Sequence, residues 1–150
     1  MRRIFDSMQC SDEDIIEGCL TCLREISTQE YDSIQFYFDE ICAVTSNAAT
    51  NPSDKVGAQA FEFWTTLIED ETERRAKSVK CYDYVSNCAG ALITMILQGL
   101  TVINFEEDED EDDWGHSVSA GCCLQALALL IKTEVMQPVI DFVAPNLAVA

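Results

Sequence analysis

Apolar residues recur at spacings of three and four along nearly the whole chain, and a chain so patterned buries them by forming α-helices. Ile15, Ile16, Cys19, Leu20, Leu23 and Ile26 mark one helix face. Tyr31, Ile34, Tyr37, Phe38, Ile41, Val44 and Thr45 mark a second, and Val56, Ala60, Phe63, Trp64 and Leu67 a third. A fourth runs through Val85, Cys88, Leu92, Met95, Ile96 and Leu100, a fifth through Val118, Cys122, Ala126, Leu129 and Leu130, and a sixth covers 135–147. No stretch alternates with the period of two that a strand requires. Ser11-Asp12-Glu13-Asp14 and Asn51-Pro52-Ser53-Asp54 read as helix starts, with a capping oxygen and acids in the first turn. Residues 71–80 read as a charged connector. Both ends read as cut, since Arg2-Ile4-Phe5 resembles the tail of a helix and 135–147 a helix without its packing partner.

Ser11-Asp12 through Leu23-Ile26 recurs 42 residues later as Ser53-Asp54 through Thr65-Ile68. Paired-helix repeats of the HEAT and armadillo type have periods of about 40–47 residues. The expected fold is therefore all-α: a HEAT-repeat superhelical solenoid of six helices in antiparallel pairs, filling 1–150 as one segment of a longer solenoid. A four-helix bundle is the competing architecture.

Charge restricts the partners. Asp plus Glu number 27 against 9 Lys plus Arg, for a net charge of −18. Such a surface repels nucleic acid and anionic lipid and attracts basic proteins. The longest apolar candidate for a membrane span, 89–103, is interrupted by Thr94, Gln98, Gly99 and Thr101. The eight cysteines, in a chain that opens with no secretory signal, read as reduced thiols of cytosol or nucleus. Cys19-x-x-Cys22 lies within a helix and has no second CxxC, so buried free thiols are a better reading than zinc. His116 is the sole histidine and has no triad around it, no phosphate loop is present, and the acids after Asp110 miss the calcium-loop pattern. Neither catalysis, nor a cofactor, nor a metal is expected.

The most unusual segment is the acidic loop at 104–113. Glu106, Glu107, Asp108, Glu109, Asp110, Glu111, Asp112 and Asp113 are eight carboxylates in a row, followed at once by Trp114. Self-repulsion keeps such a block solvated. A purely solubilising loop needs no tryptophan at its foot, whereas a Lys- or Arg-rich partner uses both the carboxylates and the ring. Trp64 stands in Phe61-Glu62-Phe63-Trp64, where three aromatics in four residues cannot all face one core, so it reads equally as exposed or buried. Glu62 and Glu69 lie seven apart on one stripe of that helix.

The chain resembles the importin-β (karyopherin) family at several places in one register. Gln9-Cys10-x-Asp12 resembles the turn inside the sixth HEAT repeat, and Gly57-Ala58-Gln59-Ala60-Phe61-Glu62-Phe63-Trp64 an inner helix. The acid run with Trp114 resembles the acidic loop of the eighth repeat, and Ser119-Ala120-Gly121-Cys122-Cys123-Leu124 the helix that follows it. Gly115-His116 stands where the family often has Asn-Pro. The resemblance implies repeats six to eight and the start of nine, a nuclear transport receptor found in cytoplasm, nucleus and nuclear pore, and no enzyme activity. It implies that Glu62, Trp64, Glu69 and Trp114 meet the basic importin-β-binding segment of importin-α or another basic cargo, that the acidic loop also meets Ran-GTP, and that Tyr37, Ile41 and Thr45 form one wall of a pocket for Phe-Gly nucleoporins. The other wall would come largely from residues before Met1. A generic HEAT scaffold, for a phosphatase or an assembly, is the alternative.

Overall fold

The computed structural model describes residues 1–102 and 115–147, with side chains through Pro145. Helix α1 is Arg2–Ser7, α2 Glu13–Gln29, α3 Phe38–Ala49, α4 Asp54–Ala76, α5 Tyr84–Asn87, α6 Ala89–Gly99, α7 His116–Ile131 and α8 Met136–Leu147. Two 3₁₀ turns, Tyr31–Phe36 and Lys132–Val135, lead into α3 and α8. Among the described residues there is no strand.

The helices form two layers. The long helices α2, α4 and α7 lie side by side, with α4 touching both of its neighbours. Behind them α1 backs α2, α3 backs α4 and α6 backs α7, while α3 meets α6 and α6 meets α8. This is a stack of helix pairs, the solenoid expected. Leu20 and Leu23 of α2, Phe61, Phe63 and Leu67 of α4, and Leu127 of α7 form one continuous buried seam with Ile34, Ile41 and Ile96 behind it. Each such side chain stabilises the fold by roughly 1.5–3 kcal/mol relative to an exposed position.

The caps are partly those expected. The Asp12 carboxylate accepts from Asp14 N at 3.1 Å and Ile15 N at 3.3 Å, satisfying orphan donors of α2. Ser53 precedes α4 without a side-chain cap. Instead Asp54, one residue on, reaches across the layer and accepts from the backbone N of His116 at 3.0 Å, at the first turn of α7.

Two glycines set how closely the layers approach. A Cβ on Gly57 would lie 2.0 Å from His116 Nδ1, and one on Gly99 would lie 2.5 Å from Phe61 Cζ. No other residue fits either place without moving its neighbour.

The expected six helices become eight, for physical reasons visible in the segments. The tail at Arg2-Ile4-Phe5 forms α1 and the fourth helix breaks at Cys88 (φ −115°) into α5 and α6, while the second opens as a 3₁₀ turn that ends at Tyr37 (φ −136°). Residues 71–76 of the expected connector are instead the last turns of α4, held by the i,i+4 pairs Asp70–Arg74 and Glu73–Lys77. Glu71 within them is fully buried. Its Oε1 accepts from Tyr31 OH at 2.8 Å and Tyr84 N at 2.7 Å, and its Oε2 from Val85 N at 3.2 Å, so it caps α5.

Cys19 is half-buried and Cys22 exposed, because α2 turns Ile16, Leu20 and Leu23 inward and leaves the CxxC pair on its flank. All eight cysteines are thiols. The run His116–Pro145, which the chain's polar interruptions had not suggested, is long and apolar enough to cross a membrane by length and composition. Its first half, α7, is a core helix packed on α4 and α6.

Candidate interaction surfaces

The exposed stripe of α4 forms the centre of one face of the stack. Glu62 is half-buried, while Glu69 and Glu73 stand in the open about two and three turns further along. Beside them α4 and α7 leave a groove of about 580 Å³, floored by Ile68, Ala76, Ala126 and Leu129 and edged by Glu69 and Glu73. Leu129 is 71% exposed, an unusual position for a leucine in a packed helix. The groove therefore combines an apolar floor with an acidic rim, which suits an amphipathic segment carrying Lys or Arg.

Glu62 is not empty-handed. Arg24 of α2 forms an ion pair with it, and Thr21 donates to Gln59 at 3.3 Å just behind. Along this stripe Glu62 is thus paired with a cation from α2, and Glu73 with Lys77 of its own helix end.

Trp64 requires a correction. It is 3% exposed, and its indole Nε1 donates to Thr45 Oγ1 at 3.1 Å. Phe63 and Phe38 pack edge-on against its ring. Three aromatics in four residues can all be buried because α4 is flanked by α2 and α7 and backed by α3, so three of its faces are covered. In this arrangement the Trp64 ring offers nothing to a partner.

Ile41 and Thr45 are corrected by the same contact. Both are fully buried, facing α4 rather than the outside, and Thr45 donates back to Ile41 O at 2.8 Å. Only Tyr37 of that trio is accessible, and it lies against Phe5 with ring centroids 6.2 Å apart. The open face of α3 is one turn around. There Glu40, Ala43, Val44 and Asn47 face Phe5 and Met8 of α1 across a groove of about 430 Å³. The residues facing this groove from the other side are Phe5 of α1 and Met8 just after it. Val44 was legible as an apolar α3 position; what its neighbours could not reveal was which of two adjacent stripes faces inward.

The acids Glu106–Asp113 and Trp114 lie outside the described residues. Gly115, the next described residue, lies beside the start of α4, where a Cβ on it would sit 2.8 Å from Asp54 Oδ2.

Among the described residues one cluster has the makings of a metal site: Glu71, Cys81 and Asp83, whose ligand atoms lie within 4.8 Å of one another. Glu71 spends both oxygens on hydrogen bonds, and Asp83 accepts from Arg75 at 2.6 and 3.0 Å, so the group is a closed structural network. His116 and Ser119 supply no catalytic pair, since both are buried and neither is hydrogen-bonded through its side chain to the other.

Comparison with known proteins agrees in sequence and in fold. No family model matches the chain. Importin subunit beta-1 of Schizosaccharomyces pombe is 30% identical over 158 residues, which cover 98% of this chain and 18% of that protein. A structure in which yeast Kap95p binding drives the switch loops of RanGDP to the GTP-bound conformation superposes with a TM-score of 0.86 at 27% identity, over 97% of this chain and 18% of that one. A Kap95–Nup1 complex matches with the same score at 28% identity, again over 97% and 18%. The chain thus spans about 18% of the length of these relatives, at one continuous register. With stacked helix pairs and a sequence that aligns over 98% of its length, the chain is similar to a stretch of the importin-β family of HEAT-repeat solenoids.

Proposed function

We propose that this chain is the part of a nuclear transport receptor that grips basic segments on its inner face and meets Phe-Gly repeats on its outer one. It acts by binding and not by catalysis. The single observation that carries the reading is the α4–α7 groove, an apolar floor bordered by Glu69 and Glu73 in a chain of net charge −18. A basic amphipathic segment, of the kind importin-α or another cargo presents, lays its apolar side on Ile68 and Leu129 and its cations on Glu69, Glu62 and the block Glu106–Asp113, with Trp114 stacking on one of them. The same acidic block serves Ran-GTP, so adaptor and GTPase compete. On this reading residues 1–150 are one solenoid segment covering roughly repeats six to eight and the start of nine, with the acidic loop at 104–113.

Phe-Gly repeats enter the groove between α1 and α3, with Phe5, Met8 and Val44 as walls and Tyr37 at its end. Such a receptor works in cytoplasm, nucleus and pore. The generic HEAT scaffold differs in one measurable respect, since only a transport receptor releases its basic ligand to Ran-GTP. The test is capture of a Lys/Arg-rich adaptor peptide by the chain, with and without Ran-GTP. Retention without the GTPase and loss with it are expected; capture indifferent to Ran-GTP favours the scaffold.

A further inference from the structure

We propose that Cys42 and Cys88 form a reversible disulfide, made by a peroxide and undone by a dithiol, that locks α3 to the start of α6 and so fixes the joint between two neighbouring helix pairs. Cys42 lies on α3, Cys88 in the break between α5 and α6, and α3 touches α6 directly. Both cysteines line one small cavity of about 30 Å³, against Trp64, Leu92 and Met95. Cys88 Sγ donates to Val85 O at 3.6 Å, which holds its thiol at the break beside the cavity that Cys42 also borders. Each is half-buried, so a molecule the size of hydrogen peroxide has access while the pair stays positioned by its surroundings.

No other thiols offer this arrangement. Cys19 and Cys22 share one helix, as do Cys122 and Cys123, so joining either pair ties no elements together. Cys10 is exposed, and Cys81 is held by Tyr31 at 3.6 Å and Asp83 at 3.5 Å. Within the pair the roles differ. The neighbouring Cys88 holds the Cys42 thiol below the ordinary range, whereas Cys42 and burial push Cys88 up. Cys42 is therefore the nucleophile, because the thiolate is the reactive form.

The chemistry balances with one peroxide. The Cys42 thiolate attacks one peroxide oxygen, the O–O bond breaks, and hydroxide leaves, giving a sulfenic acid. Cys88, losing its proton, attacks the Cys42 sulfur; the S–S bond forms and the sulfenic oxygen leaves as water. Two thiols are oxidised and one peroxide is reduced to two waters. Curvature in a solenoid accumulates from small rotations between neighbouring repeats. A covalent tie across one joint removes its share of that freedom, and breaks cleanly on reduction.

The experiment treats the whole chain with graded hydrogen peroxide, alkylates the remaining thiols, and maps chymotryptic peptides without reduction. The expected product joins the peptide of Cys42 to that of Cys88, forms before the exposed Cys22 is oxidised, and disappears with dithiothreitol. Amide exchange in α3 and the first turns of α6 should slow about tenfold or more on oxidation, because opening that joint now requires stretching a closed loop. Cys42→Ser should show neither change; if it fails to fold, Cys88→Ser and the dithiothreitol reversal of the wild type carry the same comparison. A cross-link to any other cysteine, independent alkylation of Cys42 and Cys88 after Cys22 has reacted, or exchange unchanged by a formed cross-link overturns the proposal.

Discussion

Glu62 and His116 show how single residues set both the affinity and the pH response of this surface. Arg24 holds Glu62 in an ion pair, so an incoming cation must displace a cation the chain already supplies. A partly exposed pair of this kind is worth about 0.2–1 kcal/mol. Arg24→Gln should therefore tighten a basic peptide by about two- to fivefold, read by fluorescence anisotropy, while Glu62→Gln should weaken it. An Arg24→Gln variant that binds no better removes Glu62 from the contact. His116 is 2% exposed beside Phe61, with ring centroids 5.2 Å apart, and neither ring nitrogen has a hydrogen-bond partner among the described residues. Burial holds it below the ordinary 6.5, with Asp54 pulling the other way. The fold keeps the ring neutral while the unfolded chain takes up a proton, so the stability from this residue is whole above about pH 6.5 and declines as pH falls toward the folded value. Glu71 has the opposite slope: burial raises its carboxyl above 4.5, against its hydrogen bonds, and its contribution is fullest in acid and declines as pH rises. Comparing wild type with His116→Gln cancels Glu71. The urea midpoint of the wild type should drop more steeply from about pH 7 to about pH 5.5 than that of the variant; parallel curves would mean His116 is not the titrating group.

The inner helices behave as a unit because α4 touches α2 on one side and α7 on the other, and Gly57 governs the second contact. Gly57→Ala drives a methyl group into the His116 ring and should cost roughly 1–3 kcal/mol by overpacking. Adding His116→Ala should recover part of that loss, since the two side chains occupy one space; strict additivity in chemical denaturation would show that they do not meet. At this scale the sequence was most legible. The periodicity located every long helix, and the 42-residue recurrence of Ser-Asp, which marks the starts of α2 and α4, pointed to stacked helix pairs. Where legibility failed, the missing information was tertiary. Residues 71–76 look like a connector because their charges dominate, yet Asp70–Arg74 and Glu73–Lys77 extend α4, and Glu71 points inward to Tyr31 and two backbone amides that are distant in sequence. Periodicity put Ile41 and Thr45 on an apolar helix face and left Trp64 equally exposed or buried, while the resemblance alone gave all three to partners. Only the packing of α3 on α4 reveals that Trp64 and Thr45 are each other's hydrogen-bond partners. A helix in the middle of a layer has three covered faces, and a pattern read on an isolated helix allows for only one.

Across the whole molecule the net charge of −18 should govern how fast a basic partner arrives, while the apolar groove and the tryptophan at the end of the acidic block govern how long it stays. Charges further apart than about 8 Å are screened at physiological ionic strength. The eight acids Glu106–Asp113 should therefore act chiefly on the encounter, steering a cationic segment from a distance that salt shortens. Replacing them with Asn and Gln should lower the association rate of a Lys/Arg-rich peptide at low salt about tenfold or more and flatten its salt dependence, with a smaller change in the dissociation rate. Trp114→Ala should act on the other limb. A cation–π contact contributes about 0.5–2 kcal/mol once formed and nothing before contact, so its loss should speed dissociation and leave association nearly unchanged. Leu129→Ser, which removes apolar surface from the groove between α4 and α7, should resemble Trp114→Ala. Because Leu129 is 71% exposed, that change should leave the unfolding midpoint close to wild type. Stopped-flow kinetics over a salt series separates the two limbs. Equal association rates for the neutralised and native loops at low salt would reduce the acidic block to a solubilising insert. An unchanged dissociation rate in Leu129→Ser would place the basic segment somewhere other than the groove, since an apolar floor that a ligand covers must hold it by the area removed from water.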